Sequence, residues 1–163
     1  MKQSVVRLAE PGIDLETRLT DEHHLSLRLW LRMLSSTVKL ETEIRSRLRN
    51  QFDITLPRFD LMAQLERHPK GLRMGELSKR MMVTSGNITG IADQLEKEKL
   101  VERVIDKNDR RSFSLKLTPH GMAAFKKMAQ VHEQWVEELL LGLQVEEKHL
   151  LIQLLSKVKA SLQ

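Results

Sequence analysis

The chain has 163 residues, 40% of them hydrophobic and 30% charged, with net charge +5. That is one ordinary soluble domain, or a small domain with an oligomerisation element, and the basic balance suits a polyanionic partner. Absence of cysteine excludes disulfides, thiol nucleophiles, thiol redox sensing and zinc ribbons; aromatics are only 4%, so the core must be aliphatic and methionine-rich.

In chain order, residues 1–20 are mixed in pattern, contain Pro11-Gly12, and read as an N-terminal arm. They lack the apolar core of a signal peptide, and no run approaches a membrane span, so a cytoplasmic protein with no membrane partner is expected. Thr20 or Asp21 can cap a long helix over 21–50, with Leu27, Leu31, Leu34 and Val38 at helical spacing. Its length suits an element joining two parts of a molecule. Thr55 and Pro57 start a second helix, with Phe59, Met62 and Leu65 inward; Pro69 and Gly71 stop it. "LRMGELSKRMMV" reads as a short strand-like step and a short helix. Thr84 then caps "SGNITGIADQLEKEKL", whose buried stripe is Ile88, Ile91, Ala92 and Leu95. After Leu100 the period changes to two. "LVERVIDK" and "SFSLKLT" form a hairpin around a charged turn, Asp106 to Arg111. Thr118-Pro119 restarts helix, and two helical stretches, 119–143 and 145–162, end the chain.

Two glycines, Gly86 and Gly90, lie four residues apart in the fourth helix, although each costs about 1 kcal/mol relative to Ala. They share its exposed face with Ser85, Asn87 and Thr89. The order helix, helix, short strand, short helix, exposed polar helix, hairpin predicts a winged helix-turn-helix. In such units the second helix of the pair enters the major groove of DNA. The glycines then permit close approach, and the short polar side chains meet base edges, Asn87 pairing bidentately with adenine. The basic turn contacts phosphates or a minor groove. The opposing reading is a surface helix with small polar residues and a solvated turn; the ordered combination of elements argues against it.

The residues "ITGIADQLEKEKLVERV" and "DKNDRRSFSLKLTPHG" resemble the MarR (multiple antibiotic resistance regulator) family of bacterial transcription factors, over roughly residues 22–162. Asp109-Arg110-Arg111, followed by Leu115, Leu117, Thr118 and Gly121, looks like the family's wing and the helix after it. The resemblance implies a mainly α fold with a small β-wing: 51–118 as winged helix-turn-helix and 119–163 as dimerisation helices. It implies DNA contacts at Thr84, Ser85, Gly86, Asn87, Thr89, Gly90, Asp109, Arg110 and Arg111, with Arg111 at the wing tip and Asp109 orienting it. Family members often carry a basic residue where Gly90 stands, so base reading here leans on Asn87 and Thr89. A homodimer on a roughly palindromic double-stranded operator follows, with half-sites about one helical turn apart.

The family commonly binds a small, often aromatic anion between dimerisation helices and DNA-binding lobe. Arg28, Arg32, Ser35 and Lys39 form a basic stripe on the first helix, and Trp30, Met33, Phe59 and Met62 could line an apolar pocket beside it. That pairing suits an aromatic acid or an aromatic acyl-CoA bound through Arg28 and Arg32, and the chain resembles regulators of aromatic-acid breakdown. The alternative is a solvated helix face whose arginines meet acids of a partner chain. The histidines lack metal-site spacing, so no metal or cofactor is expected. "GLRMGELSK" lacks the spacer of a phosphate-binding loop, and no catalytic frame stands out, so an enzyme is not expected. The expected function is therefore a ligand-released repressor. Its rivals are an architectural DNA-binding protein without a ligand, a helical adaptor, and an enzyme with an unrecognised site. Lys and Arg concentrated at 97–111 favour a localised DNA surface.

Overall fold

The structure is a computed structural model that describes residues 24–81, 85–105 and 113–162. The chain divides into two compact units, Met1–Glu43 and Ile44–Gln163. Helix α1, Leu25–Phe52, crosses that boundary.

In the first unit, the part of α1 from Leu25 onward leaves Leu25, Leu27, Leu29, Trp30, Leu34 and Val38 exposed. The apolar stripe read from the sequence is present, with Leu31 half-buried and Leu27, Leu34 and Val38 exposed.

The second unit holds the core. The last turns of α1 contribute Leu48, and Asp53 then turns the chain at φ 51°, with the Ile54 amide reaching back to the Leu48 carbonyl. Helix α2, Leu56–Glu66, starts after Thr55, with Pro57 in its first turn where no amide hydrogen is needed. It buries Phe59, Leu61, Met62 and Leu65. Gly71, at φ +90°, then admits the short strand β1, Leu72–Arg73, and helix α3, Met74–Met81, follows with Leu77 inward. Helix α4, Ser85–Lys97, buries Ile88, Ala92 and Leu95, the stripe predicted by its spacing, with Ile91 half-buried. Strands β2, Val101–Ile105, and β3, Phe113–Leu117, pair antiparallel, and β1 adds to the other edge of β3. The register sets Leu72 and Arg103 opposite Leu115, and Leu115 is fully buried at the centre of the small sheet.

Helix α5, Pro119–Leu139, is capped by Thr118, whose hydroxyl accepts from the Gly121 amide at 2.9 Å and donates to the Lys99 carbonyl at 2.7 Å. One threonine thus starts α5 and fastens it to the end of α4. Gly121 is required there: a Cβ would lie 1.8 Å from the Leu100 carbonyl oxygen. Phe125, Met128 and Trp135 close the core from above α2, with Phe59 packed on Phe125 and on the His132 ring. The fifth helix ends at Leu139 rather than 143, because residues 140–142 form a turn. Helix α6, Val145–Ala160, opens with a reciprocal capping box between Gln144 and Glu147, and none of its residues is buried. The fold is mainly α with a small antiparallel sheet, as the sequence pattern predicted.

Candidate nucleic-acid interface

The helix pair α3 and α4 packs through Leu77, Ile88 and Ala92, which pins the opposite side of α4 outward. That side presents Gly86, Asn87, Thr89 and Gly90, all exposed. Beyond the glycine's chain neighbours and the backbone of α4 itself, no described atom lies within 4 Å of a Cβ built on Gly86 or Gly90. Packing among the described residues therefore gives no reason for glycine at either place, in contrast to Gly121. The first turn of α4 carries no acidic side chain, so no carboxylate of that turn opposes an anion at its positive dipole end. Thr84, Asp109, Arg110, Arg111 and the side chain of Ser85 lie outside the described residues, as does the arm 1–20.

The root of the wing is tied to α4 by Arg103 on β2. Its guanidinium pairs with Asp93 and, at 3.0 Å, with Glu96, both on α4, and lies 5.1 Å from the Phe113 ring centroid on β3. Glu102 and Lys116, opposite each other in the register, add a cross-strand ion pair at 3.1 Å. The outward helix and the hairpin are thus held as one reading head.

The MarR family model matches residues 54–113. A solved MarR family transcriptional regulator from Silicibacter pomeroyi is 32% identical, with TM-score 0.74, covering 89% of this chain and all of that one. A mutant MarR from E. coli solved with operator DNA is 27% identical, with TM-score 0.73, covering 85% of this chain and 99% of that one. The HTH-type transcriptional regulator PecS of Dickeya dadantii (strain 3937) is 26% identical over 115 residues, 69% of each chain. The chain belongs to the MarR family. It is a MarR-type, DNA-binding transcriptional regulator with a winged helix-turn-helix, and neither the family nor these relatives are enzymes.

Within this MarR-family chain the predicted site residues separate. Gly86, Asn87, Thr89 and Gly90 share the outward face of α4, and Asn87 and Thr89 also hold interactions within the chain. The effector residues are less of a set. Arg28, Trp30, Arg32 and Met33 follow one another on α1, with Trp30 and Arg32 exposed and Arg28 and Met33 half-buried; both arginines already have interactions. Phe59 and Met62 are not exposed walls. Met62 is fully buried and Phe59 is 5% exposed, packed on Phe125 and His132 in the lobe's own core. Helical spacing cannot distinguish a core stripe from a pocket wall, and here the core takes both.

The sequence reading passed over Arg103 and Arg58. For Arg103 the signal was available: Asp93 and Glu96 stand one turn apart on α4, and a basic residue on the following strand completes them. Among the described residues, no helix is long and apolar enough to cross a membrane.

Proposed function

We propose that this regulator binds a roughly palindromic operator as a homodimer, represses transcription, and is released by a small anionic effector in the cytoplasm. The observation that carries the reading is the coexistence of two exposed faces. One is the polar face of α4, whose two glycines are required by no packing among the described residues. The other is apolar and lies in the second unit: Leu150, Leu151, Ile152, Leu154, Leu155 and Val158 of α6 are exposed. A monomer rarely exposes so long an apolar run, and a second copy of the chain would cover it.

In this reading Gly86 and Gly90 let α4 approach the major groove, Asn87 and Thr89 read base edges, and Thr84 and Ser85 meet phosphate at the helix start. Asp109, Arg110 and Arg111 serve the wing. The effector is an aromatic acid or aromatic acyl-CoA held by Arg28 and Arg32 against Trp30 and Met33, and its release of the protein from DNA fits control of aromatic catabolism.

Fluorescence anisotropy of labelled DNA from upstream of the protein's own operon tests it, with unrelated DNA as competitor and a panel of aromatic acids and their CoA thioesters. Competitor-resistant binding reversed by one panel member is expected. Binding lost equally to any DNA would replace the reading with an architectural protein, and an unchanged ligand response in an Arg28→Ala/Arg32→Ala variant would remove the effector site.

A further inference from the structure

The turn that ends α4 is held from two other elements. Glu98 follows Lys97, the last residue of the helix, and its carboxylate accepts from Nη2 of Arg58 at the start of α2. Lys99 stands at φ 59°, uncommon for a residue with a side chain, and its carbonyl accepts from the Thr118 hydroxyl at 2.7 Å. The Leu100 carbonyl lies against Gly121, where a Cβ would come within 1.8 Å of its oxygen. Three consecutive residues therefore fix where α4 ends. Two of these contacts belong to the start of α5; the third, Arg58, comes from α2.

As a means of stabilising the fold, Arg58 is a poor choice. Among the described residues it is the charged side chain that the core buries, 10% exposed and beside Phe52, Ile54, Leu100 and Met128. Its Nε is buried without a hydrogen-bond partner, which opposes folding. Its partner Glu98 is half-exposed and sits at the negative end of the α4 dipole, where a carboxylate is disfavoured. An apolar side chain at position 58 would avoid both penalties, and replacing a buried ion pair by apolar groups is often neutral or stabilising. What an apolar side chain could not supply is a directed bond to the end of α4. The helix has 13 residues, about 20 Å at ~1.5 Å per residue. A tilt of roughly 5° about its end shifts its first turn by about 2 Å, several times the ~0.5 Å within which a binding constellation must be held. That first turn presents Gly86 and Asn87. Arg103 ties the wing to the same half of α4 through Asp93 and Glu96, so the hairpin follows any such tilt.

We propose that Arg58 is a positioning residue for operator reading. Through Glu98 it sets the angle at which α4 and the wing meet DNA, and, buried as it is, it touches no DNA itself. Its role is in discrimination between sequences, which depends on base edges met at the start of α4, more than in the stability of the lobe. This assignment rests on the regulator reading above, and the experiment below separates the two.

Fluorescence anisotropy with the full chain measures discrimination, as the affinity for a labelled fragment from upstream of its own operon divided by that for a scrambled fragment of equal length. Urea midpoints of the same variants measure stability. Arg58→Met is expected to match or exceed the wild-type midpoint, yet to lose about tenfold in discrimination, the scale of one lost base contact. Glu98→Ala is expected to lose a similar factor and also to lower the midpoint, because it strands the buried guanidinium. Glu98→Gln keeps an acceptor for Nη2 and is expected to lose less than either. Full discrimination in Arg58→Met, or discrimination that follows the midpoint across the three variants, would overturn the proposal. Should Arg58→Met not fold, Glu98→Ala decides, since its side chain is half-exposed: full discrimination there would overturn it as well. A wild-type chain that does not discriminate would strike the regulator reading and this assignment with it; a wild type that discriminates beside variants that do so equally well would strike this assignment alone.

Discussion

Helices α4 and α6 are both short and amphipathic, and the chain treats them in opposite ways. On α4 the apolar side is packed against α2, α3 and β2, with Ile88, Ala92 and Leu95 buried and Ile91 half-buried, and its polar and glycine face meets solvent. Helix α6 buries nothing, although Leu150 and Ile152 are 55% and 63% exposed. Burial of an apolar side chain stabilises a fold by about 1.5–3 kcal/mol, so α6 forgoes in isolation what α4 already has. The difference teaches where each helix finds its partner. One is completed within the chain and offers its remaining face outward; the other has the Gln144–Glu147 capping box at its start and the dipole-matched charges of Lys157 and Lys159 in its last turn, and no described residue buries its apolar side.

The largest effect is expected where that contrast is sharpest. A Leu151→Asp/Leu155→Asp variant puts charges on the uncovered face of α6. It is expected to sediment as a monomer and to lose about 10²–10⁴ in operator affinity, since two linked half-site contacts become one. The second unit should keep its helical circular-dichroism signal, because its core includes no residue of α6. If the variant instead unfolds throughout, α6 is part of a single cooperative core and the contrast with α4 fails.

A smaller effect, of opposite sign in two measurements, is expected on α4. Gly90→Ala adds a methyl group that meets no described atom within 4 Å beyond its chain neighbours and the backbone of α4, so it should stabilise the fold by roughly 0.5–1 kcal/mol through helix propensity. The same methyl should weaken operator binding by about tenfold, or ~1.4 kcal/mol. A variant that is both more stable and equally tight on DNA would mean that this face does not approach the groove. Gly121→Ala supplies the control, because its Cβ meets the Leu100 carbonyl and it should lose stability instead.

Much of this contrast was legible in the residues. Period-two alternation located the hairpin, and the spacing of Ile88, Ala92 and Leu95 fixed which side of α4 faces in. What stayed hidden was hidden for physical reasons. Lys99 ends α4 at φ 59°, with the Leu100 amide bonded to the Leu95 carbonyl at 2.9 Å, a helix stop that usually announces itself with glycine. Arg58 is buried although arginine almost never is unless paired, and its partner Glu98 lies 40 residues away. Phe59 and Met62 have the spacing of either a core or a pocket wall, and only the packing of α5 over α2 settles which. The stop signal after α5, Gly142, stands three residues beyond the last helical residue with apolar Leu140 and Leu141 between them, so the residues place the end of α5 four positions late.

The smallest expected effect lies in that packing, at His132. Burial lowers its pKa below the usual imidazole value of 6.5, so the folded chain holds it neutral against Phe59 while the unfolded chain takes up a proton first. The unfolded state then binds more protons as pH falls below about 6.5. The stability associated with neutral His132 is therefore present above that pH and is lost as pH falls toward the lowered value. Replacing it by glutamine, His132→Gln, removes the titration and should flatten this part of the stability profile, at the cost of the ring contact at every pH. Urea midpoints measured between pH 7.5 and 5 would check both statements. A wild-type profile that does not fall in that interval, or a variant that falls as steeply, would place the pH sensitivity on other groups. The α6 double variant carries the comparison one step further: half-buried His132 packs on Phe59 within the second unit, so its pH profile should survive in the monomer.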